Sequence, residues 1–77
     1  MTNIREIALG DSAEVIGYDP AEKTYRRKLL SMGLTKGTVF TLKKVAPMGD
    51  PVEIEVRGFK LSLRKGEADV LRIRKVS

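Results

Sequence analysis

The segment RRKLLSMGLTKGTVF (residues 26–40) holds two glycines four apart, Gly33 and Gly37, with Lys36 and Thr38 between and after them. These are the residue types of a phosphate-binding loop. Such a loop places G-x-x-x-x-G-K-[ST] between a strand and a following helix, so that the helix amides meet the phosphates. Here a helical run comes first, a β run follows, and Lys36 precedes the second glycine. The glycines therefore read as turn chemistry. Glu53 and Glu55 stand two apart, about 6.6 Å by strand rise, and could mimic an acid/base pair. Between charged strands they read as a solvated outer face instead. Ser31 and Ser62 have no histidine to activate them, because the chain has none. Transition-metal sites of nitrogen and oxygen ligands usually set histidine beside carboxylate. Only carboxylates are on offer here, among them Asp11, Glu14, Asp19, Asp50, Glu53, Glu55, Glu67 and Asp69. No catalytic residue, dedicated metal site or cofactor is expected.

These residues must be carried by a small fold. The chain has 77 residues and no cysteine, so no disulfide or thiolate site can staple it. A chain of this size buries roughly 60 % of its unfolded surface and has no room for a deep cleft. Residues 12–19 alternate and read as a strand. Asp19 as N-cap and Pro20 at the first helical position start a helix running to Met32, which Gly33 ends. Residues 38–46, 52–57, 59–64 and 70–76 follow as strands. One helix cannot cover an open five-stranded sheet. Curling the sheet buries its apolar face and removes its edges. The expectation is a mainly β, SH3-like five-stranded barrel, one domain over residues 1–77, with one helix inserted after the first strand.

The net charge is +5. Residues 1–56 hold eight basic and eight acidic side chains, and residues 57–77 hold seven and two. The last quarter thus carries the excess, which points to an anionic partner or surface. No apolar run is long enough to span a bilayer, and MTNIREIALG lacks the apolar core of a signal peptide. A cytosolic protein is expected.

Three ordered stretches carry a further message: KLLSMGLTKGTVF, VAPMGDPVEIEVRG and LSLRKGEA. Together they resemble the FeoA family of ferrous iron transport proteins, over residues 11–76. The most specific piece is APMGDP, residues 46–51. The resemblance implies a small cytosolic SH3-like barrel that is an accessory to FeoB, a membrane ferrous iron transporter with a cytosolic GTP-binding domain.

Three surfaces are candidates for partner binding. On the helix, Ala21, Tyr25, Leu29 and Met32 form a stripe, while Leu30 lies roughly 100° round from Leu29. With Leu34 repeating its side, Leu30 is expected in the core, leaving Tyr25 and Leu29 for the partner. On the strands, inward Phe59, Leu61, Leu63, Leu71 and Ile73 would turn Lys60, Arg64, Arg72 and Arg74 outward. That basic face fits anionic lipid at the inner membrane surface, or, as the alternative function, RNA. Stacking platforms for single strands need exposed aromatics, and Phe40 and Phe59 are expected in the core. The third surface is the loop of Pro47, Met48, Gly49 and Asp50, with Gly49 free for positive φ and Asp50 for backbone amides. Its first reading is a hairpin loop with good turn residues, and partner contact is the second. Self-association is a further option for the chain.

Overall fold

A computed structural model describes residues 3–76; Met1, Thr2 and Ser77 lie outside the described residues. After a short 3₁₀ turn at Ile4–Glu6, the order is β1 (Ser12–Tyr18), α1 (Lys23–Ser31), β2 (Val39–Val45), β3 (Val52–Val56), β4 (Phe59–Leu63), α2 (Lys65–Val70) and β5 (Leu71–Lys75). The strands form one antiparallel sheet in the order β4-β3-β2-β1-β5.

Alternation sets the faces. Val52, Ile54 and Val56 are buried while Glu53 and Glu55 are half-buried on the other side. Between β3 and β4 the two-residue turn has Arg57 at φ 52° and Gly58 at φ 84°. Positive φ at both positions is the turn whose twist matches that of the paired strands. Core residues from all five strands, including Ala13, Val15, Phe40, Leu42, Ile54, Leu63, Leu71 and Ile73, pack with Ile4, Leu29, Leu34, Ala68 and Val70.

The sheet is not a closed barrel. β4 and β5 are its two edges and do not pair. Closure was expected because a single helix could not cover the apolar face. Residues 65–70, all but Val70 of them between the strands expected over 59–64 and 70–76, form α2 between the edge strands, and with the 3₁₀ turn they supply the missing cover.

Helix α1 also begins later than expected. The Asp19 carboxylate accepts from Ala21 N at 3.0 Å, closing a local turn around Pro20. The helix starts at Lys23 after Glu22, which makes no side-chain cap. It ends as the sequence indicates. Gly33 stands at φ 87°, Gly33 N donates to Leu30 O, and Leu34 N donates to Leu29 O, each at 3.0 Å. These paired bonds are the Schellman arrangement.

Candidate interaction surface

The geometry centres on the two helices. Glu67 of α2 is buried, with 2 % of its surface exposed. Its Oε1 accepts from Arg64 N at 2.9 Å, and its Oε2 pairs with the ammonium of Lys28 on α1. Burial pushes this carboxyl up, but the Lys28 hydrogen bond, the Arg64 amide and both cations outweigh it and hold it below the ordinary value. Beside it, Gly66 makes room for Tyr25: a Cβ there would stand 2.9 Å from the Tyr25 Cζ and Oη. The half-exposed Tyr25 ring thus lies along α2.

This packing decides which side of α1 is covered. Leu29 is fully buried, and Met32 is half-buried against the core. Leu30 is 40 % exposed. The orientation is the reverse of the expectation, because the element that covers the Tyr25–Leu29 side is α2. The side left outward carries Lys23, Arg26, Arg27 and Leu30, which line a shallow groove of about 260 Å³. None of these three cations has a carboxylate within ion-pair distance among the described residues. The Arg26 guanidinium lies 5.5 Å from the centroid of the Tyr18 ring, whose hydroxyl donates to Leu34 O at 2.6 Å.

The strand cations are placed differently. Arg74 meets Glu14 at 2.5 Å, Arg72 meets Asp19 at 3.7 Å and Lys60 meets Glu53 at 3.9 Å. Register explains the first pair, since Glu14 and Arg74 are opposite one another on β1 and β5. The basic face expected of Lys60, Arg64, Arg72 and Arg74 is therefore largely neutralised. Arg72 is half-buried, and Arg64 alone of the four has no carboxylate partner among the described residues.

The loop after β2 is tied to α2. Asp50 Oδ1 accepts from Lys65 N, the first amide of α2, at 2.8 Å, and Gly49 takes φ 83°. Pro47 is exposed, and Met48 is 92 % exposed. A groove of about 340 Å³ runs beneath the loop, between Ile4, Ile7, Leu42, Met48, Val52 and Lys65. A second of about 300 Å³ lies by Met32, Val56, Arg57, Phe59 and Leu61. Phe59 itself is 73 % exposed rather than in the core. It shares a face with Leu61 and Leu63 as alternation requires, but the cover runs out towards the hairpin turn: Leu63 is buried, Leu61 half-buried and Phe59 open.

The glycines of the opening segment serve turns. Gly37 N donates to Val15 O at 2.8 Å and Thr38 N donates to Thr35 O at 3.1 Å. Among the described residues no cluster of three or more histidines, cysteines or carboxylates could hold a metal ion. Nor is any helix long and apolar enough to cross a membrane.

Residues 2–75 match the FeoA domain model. A fusion of Fe(2+) transport protein A and the Fe(2+) transporter FeoB from Porphyromonas gingivalis is 27 % identical over 96 % of this chain. The chain spans only 9 % of that relative's length. Among solved structures, an FeoA-like protein from Clostridium acetobutylicum is 38 % identical, with a TM-score of 0.87 over all of this chain and 92 % of that one. Stenotrophomonas maltophilia FeoA complexed with zinc, described as a procaryotic SH3 domain protein, is 25 % identical, with a TM-score of 0.80 over 96 % and 91 % of the two chains. The fold is thus SH3-like, and the chain belongs to the FeoA family, which is associated with ferrous iron transport.

Proposed function

We propose that the chain is a non-catalytic accessory module that docks on the cytosolic GTP-binding part of a FeoB-type ferrous iron transporter and modulates it. The observation that carries this reading is the Porphyromonas gingivalis relative, in which an FeoA segment and FeoB are one polypeptide. Linking two modules makes their encounter intramolecular, at an effective concentration set by the linker. A fused pair of this kind supports direct contact between the two. The surface of this chain supports binding over catalysis: open grooves, exposed Leu30, Phe59 and Met48, and no histidine or cysteine to serve as base or nucleophile.

A nucleic-acid reading gains one point from the structure, the exposed Phe59 ring beside Arg57. It loses the strand face, where Lys60, Arg72 and Arg74 already meet carboxylates. One ring is also no platform for successive bases. A pull-down of the tagged chain from cells, with and without nuclease, separates the two. Nuclease-resistant recovery of a GTP-binding membrane protein is expected. Recovery of RNA without that protein overturns the docking reading.

A further inference from the structure

We infer that the outward stripe of α1, formed by Lys23, Arg26, Arg27 and Leu30, is the docking face, and that the partner meets it with an acidic protein segment carrying one apolar anchor. This rests on the docking reading and deepens it. Four positions spaced i, i+3, i+4 and i+7 lie on one side of a helix. Here they set three cations beside one exposed leucine, over a groove of about 260 Å³.

The stripe breaks the local rules of a stable helix. Cations are disfavoured near a helix N-terminus, and like charges at i,i+4, such as Lys23 and Arg27, repel. The first turn of α1 has no acidic residue to offset them. Elsewhere the chain does pair its charges: Lys28 with Glu67, Arg74 with Glu14, Arg72 with Asp19 and Lys75 with Asp11. Lys36, Lys44, Arg57, Arg64 and Lys65 also lack a carboxylate partner among the described residues, but α1 gathers three such cations on one helix face. Anionic side chains from outside the fold would meet these cations, and Leu30, at the C-terminal end of the stripe, supplies the apolar contact.

A lipid surface fits less well. A helix that lies in a membrane interface buries a broad apolar sector. Leu29 is buried, Met32 is half-buried and Tyr25, though 39 % exposed, lies along α2, so Leu30 is the one apolar residue of the stripe. The stripe offers three separate charges followed by one anchor, which suits a carboxylate-bearing protein segment.

The test titrates the full chain against the purified GTP-binding domain of the transporter, and against phosphatidylcholine vesicles with and without phosphatidylserine. Arg27→Glu and Leu30→Ala should each weaken domain binding roughly tenfold or more, as expected of central contacts. Raising salt should weaken the wild type most. Lys44→Glu, the same charge change at an exposed site on β2, should bind as wild type. Both α1 positions are exposed, so thermal melts should confirm folded variants. Tight wild-type binding that Arg27→Glu and Leu30→Ala leave unchanged overturns the stripe and spares the docking reading. Absence of wild-type binding overturns both. Binding to phosphatidylserine vesicles alone, lost in Arg27→Glu, assigns the stripe to lipid and overturns the acidic segment.

Discussion

Leu29 and Leu30 are adjacent, chemically identical and differently placed, so truncating each to alanine separates fold from function. Leu29 is fully buried among the core side chains. Its truncation removes apolar contact and leaves a cavity, at about 2–5 kcal/mol. At roughly 0.05–0.15 kcal/mol per residue, a 77-residue chain has about 4–12 kcal/mol in all. In a domain of this size each 1 kcal/mol moves Tm by about 4–8 °C, so the loss should exceed ~8 °C and can unfold the chain outright. Leu30 already exposes 40 % of its surface, and alanine is the better helix former, so its truncation should cost less than ~1 kcal/mol. Differential scanning calorimetry on both variants decides the matter. Equal melting temperatures, or a larger loss for Leu30→Ala, would refute the packing of α1 against α2 described above.

Other outcomes follow from the same contacts. Glu67 and Asp11 both titrate below their ordinary values, Glu67 against burial and through Lys28 and the Arg64 amide, Asp11 chiefly through the Ala8 amide. Each lowered carboxyl adds stability above its unfolded value, so Tm should fall as pH drops below 4.5 for Glu67 and 3.8 for Asp11. Glu67→Gln should flatten that acid limb and cost about 1–3 kcal/mol at neutral pH, read from urea melts. Asp50→Ala frees the Lys65 amide and should cost about 1 kcal/mol, with faster hydrogen exchange at Lys65 by NMR. Anaerobic calorimetric titration with Fe²⁺ should show no stoichiometric micromolar site, and finding one would contradict the scatter of carboxylates.

Local pattern was enough for much of the fold. Val52, Ile54 and Val56 announce β3 by strict alternation, and Gly33 marks the end of α1 by the positive φ it alone adopts cheaply. Helix α2 was not legible. KGEADV is six residues long with a glycine inside, and its support is tertiary: Asp50 reaches its first amide from fifteen residues away, and Lys28 pairs with its buried Glu67. That single omission propagated. The repeat of Leu30 by Leu34 pointed Leu29 outward, whereas α2 covers Leu29; and without α2 the sheet had to be closed to hide its face. The pairing of the strand cations was not legible either. Composition puts the charge excess in residues 57–77, but the strand register sets Glu14 opposite Arg74, and Asp19, just past β1, meets Arg72.

Helix α2 also ties two parts of the chain together. Six residues make a rod about 9 Å long. At its start the Lys65 amide holds Asp50 of the β2–β3 loop, and two residues on Glu67 holds Lys28 of α1. A rotation of α1 under a docked partner would turn this rod and pull on Asp50, shifting exposed Met48 and the rim of the groove beneath it. Two surfaces that are well separated along the chain would then move as one body, linked by a hydrogen bond and an ion pair rather than by the sheet.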